Sequence, residues 1–143
     1  MNALPEHGMC FVCGSENAHN MGITWYAKED GSIYTKITLT EFQQGPPGHA
    51  HGGATAAILD EAMGAAVWFS GRPVLAANLS VDYLKPVPLG VPLEVHAHIT
   101  QEEGQTIYTK GQILLPDGEI AVVGTGTYVQ KPTFFSGFMS EEN

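Results

Sequence analysis

At 143 residues and 43% hydrophobic content, the chain is long enough for one domain with a real core and too short for two. Its net charge of −9 leaves six Lys and Arg to meet phosphates, which argues against a nucleic-acid partner and makes any polyanionic ligand depend on a local positive spot. No apolar run is long enough for a membrane span and residues 1–10 carry no charged-then-apolar leader, so the expected setting is cytoplasmic, with no membrane partner.

Residues 1–20 show no clean period and read as a loop segment packed over the domain. Cys10 and Cys13 form one Cys-x-x-Cys, expected as free thiols in a reducing compartment. His7, Cys10, Cys13 and His19 would be enough ligands for zinc, but such sites usually use two well-separated pairs and this set is crowded. The preferred reading makes Cys10, Phe11 and Cys13 core-facing anchors, with no metal and no cofactor.

Ile23–Tyr26 and Ser32–Thr40 alternate apolar and polar around Glu29-Asp30-Gly31, which predicts a β-hairpin. A Pro/Gly loop, Gly45-Pro-Pro-Gly-His-Ala-His51, then leads into a Pro-free, alanine-rich run from Ala54 to Phe69, the one long predicted helix. Ser70-Gly71-Arg72-Pro73 stops it. Four strand-like runs follow: Val74–Leu84, a run alternating from Leu93 to Thr100, Thr106–Leu115 and Glu119–Val129. Turns at Glu102-Glu103-Gly104 and Pro116-Asp117-Gly118 separate the last three. The layout is α+β, one antiparallel sheet covering one apolar helix. Residues 131–143, with Phe134, Phe135 and Phe138, read as a tail. One helix cannot cover both faces of such a sheet, so self-association is expected.

The loop-to-helix junction carries the chemistry. Gly48, Gly52 and Gly53 stand where the backbone must turn and can approach a ligand closely. The first-turn amides are unpaired donors suited to negative charge. Gly53, Ala56, Ala57, Asp60, Gly64 and Val67 share one helix face, a row of small side chains expected to leave a groove with one acid in it. Glu61 points about 100° away and is expected at a solvated edge.

His51-Gly52-Gly53 followed by Asp60 and Gly64 resembles the hotdog-fold acyl-CoA thioesterases of the phenylacetate-pathway (PaaI-like) type. The resemblance continues in Phe11-Val12-Cys13-Gly14, Asn17, Gly22, Gly45-Pro46-Pro47-Gly48 and Tyr83-Leu84-Lys85-Pro86-Val87-Pro88-Leu89-Gly90, spanning about Cys10 to Val129. It implies a single hotdog domain over 1–143, one long helix wrapped by a curved antiparallel sheet, assembled as a homodimer or dimer of dimers. It also implies hydrolysis of an acyl-CoA to a carboxylic acid and CoA. By the same resemblance the Gly52 amide, with Gly53 beside it, binds the thioester carbonyl, and Asp60 from the other subunit acts as general base or nucleophile. His51 is left with three readings: it polarises the carbonyl, assists proton transfer, or orients the loop by a hydrogen bond. Lys85, then Arg72, are the candidates for CoA phosphates, with Asn78 on a polar strand side facing the cleft and Gly48 in the loop.

Two departures from that family pattern stand out. Many relatives carry Asn before His-Gly-Gly, where this chain has Gln43, Gln44 and Gly45. Several carry Ser or Thr to hold a water where this chain has Ala76, which implies either a slower enzyme or a different water contact through Asn78. The alternatives are a non-catalytic acyl-CoA sensor and an enoyl-CoA hydratase-like enzyme on the same scaffold.

Overall fold

The computed structural model describes residues 2–5 and 7–130. The order is β1 (Asn2–Ala3), β2 (Tyr26–Ala27), β3 (Ile33–Thr38), a short 3-10 turn (Glu41–Gln43), α1 (Gly52–Phe69), β4 (Leu75–Tyr83), β5 (Pro92–Glu103), β6 (Thr106–Leu114) and β7 (Ile120–Val129). The strands form one antiparallel sheet in the order β1-β2-β3-β5-β6-β7-β4. The predicted α+β layout is therefore present, with one long helix on one sheet.

Sequence chemistry sets the element ends. Gly31, Gly104 and Gly118 adopt positive φ in the turns before β3, β6 and β7. Asp30 Oδ1 accepts from Ser32 N–H at 2.9 Å, and Asp117 Oδ1 accepts from Glu119 N–H at 2.9 Å. Helix α1 begins two residues before the predicted run, because His51 caps it. It ends where Ser70 Oγ and Ser70 N–H both donate to Val67 C=O. Strand β1 was not legible in advance: two exposed residues pair with Tyr26 and Ala27 without any hydrophobic pattern. The tail aromatics Phe134, Phe135 and Phe138 lie outside the described residues.

The core sits between α1 and the middle of the sheet. Ile58, Leu59, Ala62, Met63 and Val67 are fully covered, as are Leu93, Val95, Ile107, Ile113 and Val122. The helix lies close because β6 and β7 offer glycines beneath it. A Cβ on Gly111 would stand 3.2 Å from both Leu59 Cδ2 and Met63 Cγ, and one on Gly124 would stand 3.3 Å from Leu59 Cδ1. Larger side chains there would push the helix off the sheet.

Among the described residues β4, at the far edge, pairs only with β7, and eight of its nine residues are exposed. Leu75, Leu79 and Tyr83 stand open there, with Leu84 just beyond. No helix of the described residues is long and apolar enough to cross a membrane.

Candidate active site

The loop before α1 is held rigidly. Its strand-like bridges join Gln44 to Ala50 and His49 to Pro88. His51 N–H donates to Gln43 C=O at 2.7 Å, Ala50 N–H to Val87 C=O at 2.8 Å, and Leu89 N–H to Gly48 C=O at 3.0 Å. The Pro-rich block after β4 thus clamps the Pro/Gly loop. Gly45 has no alternative: a Cβ there would lie 2.7 Å from His51 Cα. Gly48, at φ 77°, makes the loop's reversal and gives its N–H to Gln44 Oε1 at 3.1 Å.

His51 is the helix N-cap. Its Nδ1 accepts from Gly53 N–H at 2.9 Å, which leaves the ring proton on Nε2 and turns that edge outward. Its carbonyl accepts from Ala54 N–H at 3.0 Å and Thr55 N–H at 3.3 Å. A planar peptide points its N–H opposite its C=O, so these two bonds aim the Gly52 N–H out of the helix mouth. That N–H meets no acceptor among the described residues. The Gly52 carbonyl is fixed in turn by Thr55 Oγ1 at 2.9 Å and the Tyr83 hydroxyl at 2.8 Å. Gly53, by contrast, spends its amide on the cap. The structure thus separates the two glycines that the sequence pattern placed side by side as donors.

Asp60 is half-buried on α1, and its carboxylate accepts from the Tyr128 hydroxyl at 2.7 Å; the same hydroxyl lies 2.8 Å from the Asp60 main-chain carbonyl. Burial first, then the Asp60 carboxylate, keeps Tyr128 protonated well above the ordinary tyrosine range. The Tyr128 ring lies 3.5 Å from where a Gly64 Cβ would be, so the small-residue face is filled there by an aromatic rather than left as a groove. Sequence reading assigned no site role to Tyr128, or to Tyr83, which entered only as part of the motif that carries the resemblance. Each sits in an alternating strand where an aromatic reads simply as sheet packing.

The sheet register places the remaining candidates. Asn78 pairs with Thr127 and Val81 with Gly124, whose Cβ would face Leu59 on the helix. Val81 and Tyr83 therefore face α1, and Asn78 stands on the other side of the pleat, away from Asp60. The irregularity between Ala76 and Asn78 reverses this parity. Ala76 pairs directly with Tyr128 and shares its helix-facing side. Lys85 and Arg72 form ion pairs with Glu119 and Glu102. Neither waits unpaired for a phosphate.

A cleft of ≈ 910 Å³ opens beside the helix mouth, with Phe11, Met21, Phe42, His51, Gly53 and Ala54 in its walls. The N-terminal segment supplies one side of it. His19 also lines this cleft, so it is not grouped with Cys10 and Cys13, as the zinc set weighed against the preferred metal-free reading needed. Glu61 takes its place. Far from a solvated edge, its half-buried carboxylate accepts from Cys10 Sγ and Cys13 Sγ, each at 3.4 Å, and lies 3.6 Å from His7 Nδ1. Burial opposes the ionised form of Glu61, but the hydrogen bonds from His7, Cys10 and Cys13 outweigh it and hold the carboxyl below its usual range. Burial pushes the Cys13 thiol up to about 12.

Residues 47–122, from the Pro/Gly loop into β7, match the family model described as thioesterase superfamily. Acyl-coenzyme A thioesterase THEM4 of Xenopus laevis is 38% identical over 89 residues, 62% of this chain and 40% of that protein. The Rattus norvegicus protein of the same name is 39% identical over 74 residues, 52% of this chain and 32% of that protein. The chain thus spans less than half the length of these relatives. A solved thioesterase superfamily protein superposes with a TM-score of 0.79 at 38% identity, over 82% of this chain and 61% of that one. The PaaI protein of E. coli, from the phenylacetic acid degradation operon, superposes at 0.72 with 21% identity, over 78% of this chain and 80% of that one. A hypothetical thioesterase from Streptococcus pneumoniae, solved with coenzyme A, superposes at 0.71 with 20% identity, over 75% and 86%. With more than half its length matched by the family model and the fold repeated in these structures, the chain belongs to the thioesterase superfamily, in its hotdog form.

Proposed function

We propose that the protein is an acyl-CoA thioesterase whose active site is completed by two protomers, the Gly52 amide of one and the Asp60 carboxylate of the other. The observation that carries this reading is the spacing along α1. Eight residues at a rise of 1.5 Å separate Gly52 from Asp60 by ~12 Å, too far for both to act on one thioester carbon within a chain. The helix mouth offers an aimed N–H with no acceptor among the described residues, and the Asp60 carboxylate is joined through Tyr128 to β4, the edge strand those residues leave uncovered. An antiparallel homodimer would cover that edge and bring each acid to the opposite mouth. A pairing of dimers is compatible with the same arrangement.

In this site the Gly52 N–H stabilises the oxyanion as the thioester carbonyl is attacked. A preorganised donor of this kind contributes ~3 kcal/mol to lowering the barrier. Asp60 either activates the attacking water, with CoA thiolate departing, or attacks directly and displaces CoA thiolate to leave an acyl-Asp60 anhydride that water then cleaves to the carboxylic acid. His51 acts chiefly by capping, which aims the Gly52 amide, while Gly53 serves that cap. Gly48 lets the loop bend against the Pro-rich block. Lys85 and Arg72 contact CoA phosphates only by exchanging a carboxylate partner for a phosphate. Asn78 would need the outer face of the sheet, and we give it no role at the acid.

The test is thiol release from a panel of short, long and aromatic acyl-CoAs. Turnover with at least one supports the reading. Tight acyl-CoA binding with no thiol released would instead indicate a sensor. Loss of enoyl absorbance without thiol release would indicate a hydratase.

A further inference from the structure

We propose that His7, Cys10, Cys13 and Glu61 bind a zinc ion that clamps the N-terminal segment to α1. Their donor atoms, Nδ1 or Nε2 of the imidazole, two Sγ and a carboxylate oxygen, all lie within 4.8 Å of one another. A tetrahedral zinc with ordinary bond lengths of ~2.0–2.3 Å holds neighbouring ligands ~3.3–3.8 Å apart. The separations of 3.4, 3.4 and 3.6 Å around Glu61 Oε1 match those edges.

The backbone is built to present these donors together. Cys10 N–H donates to His7 C=O at 3.0 Å and Gly14 N–H to Cys10 C=O at 2.9 Å, winding residues 7–14 into a tight turn. Only glycine fits at position 14, where a Cβ would lie 2.2 Å from Gly8 C=O and 2.3 Å from Cys10 N. The fourth donor comes from far along the chain, on the helix, one residue after Asp60. Both cysteines are free thiols, Cys13 buried and Cys10 half-buried. Two soft sulfurs with an imidazole and one carboxylate suit zinc, whereas calcium and magnesium take oxygen shells. The Trp68 ring packs 5.8 Å from the His7 ring. A cavity of ≈ 260 Å³ lined by His7, Cys13, Trp25, Glu61 and Trp68 gives the ion a way in.

On binding, the thiols release their protons and four protein ligands close the shell, so the ion is structural rather than catalytic. Its effect is positional. The turn it fixes leads directly into residues 18–22, which wall the cleft, and it anchors α1 beside Asp60. This last role rests on the thioesterase reading. The binding of zinc does not.

The experiment is metal analysis of the full chain purified without chelator and with thiols kept reduced. Wild type is expected to carry about one zinc per chain, Cys10→Ser and Cys13→Ser almost none, and Glu61→Gln a more easily stripped ion. Cobalt added to the stripped wild-type protein is expected to give thiolate charge-transfer and tetrahedral d–d bands. Chelation is expected to lower Tm by several degrees. The folded wild type serves as its own control, so poorly folding variants do not decide the question. Wild type that carries no zinc and gives no tetrahedral cobalt spectrum would overturn the proposal, whether or not it hydrolyses thioesters.

Discussion

The Tyr128 hydroxyl spans the backbone and side chain of Asp60, 2.8 Å from the carbonyl and 2.7 Å from the carboxylate. It reaches from β7 across Gly64 to hold the acid in one rotamer. Tyr128→Phe keeps the ring on Gly64 and removes only that hold. As a positioning change it is expected to lower kcat about tenfold with little change in KM, and to cost about 1 kcal/mol of stability. Steady-state kinetics alongside urea unfolding checks both. An unchanged kcat would confine Tyr128 to packing.

Tyr128 also predicts an alkaline limit to stability. Its folded pKa is raised, so the native state keeps a proton that the unfolded chain releases. The stability this contributes is complete below the unfolded tyrosine value of about 10 and falls as pH rises above it. Unfolding free energies measured on either side of that pH should show the loss. Tyr128→Phe should show a shallower one, and equal slopes in the two proteins would contradict the assignment.

His51 is predicted to act through its cap. His51→Ala should lose about 1 kcal/mol of stability together with most activity, because the Gly52 amide is no longer aimed. His51→Asn can accept from the Gly53 N–H and should recover both. Recovery of stability without activity would instead give the outward Nε2 edge a part in the chemistry.

Ala76 stands beside Tyr128 on the side of β4 that faces α1, and its position is exposed enough to accept a larger side chain. Ala76→Thr is therefore expected to raise kcat by offering a hydroxyl to the water near Asp60. A fall in kcat, with the fold intact by circular dichroism, would show that this strand position does not face the reacting water.

Much of the architecture was legible because it follows local rules. Gly31, Gly104 and Gly118 marked turns, Ser70-Gly71 ended the helix, and β5 alternated apolar and polar side chains as expected. What sequence reading missed depends on contacts between distant segments. A helical wheel correctly turned Glu61 away from Asp60. It could not show that residues 7–14 fold over that side and bury it. Tyr83 and Tyr128 reach Gly52 and Asp60 from strands 31 and 68 residues away. The side on which Ala76 falls is set by the irregularity between Ala76 and Asn78, which no period-2 pattern reveals.

The central claim is that each site joins Gly52 of one protomer to Asp60 of the other, and subunit complementation tests it most directly. Asp60→Asn and Gly52→Val, whose added bulk meets the Tyr83 ring, should each be nearly inactive alone. Unfolded together and refolded as a mixture, they should form hybrids with one intact site and recover about a quarter of wild-type thiol release. A mixture no more active than its separate parts, with hybrid dimers shown to have formed, would contradict the shared site.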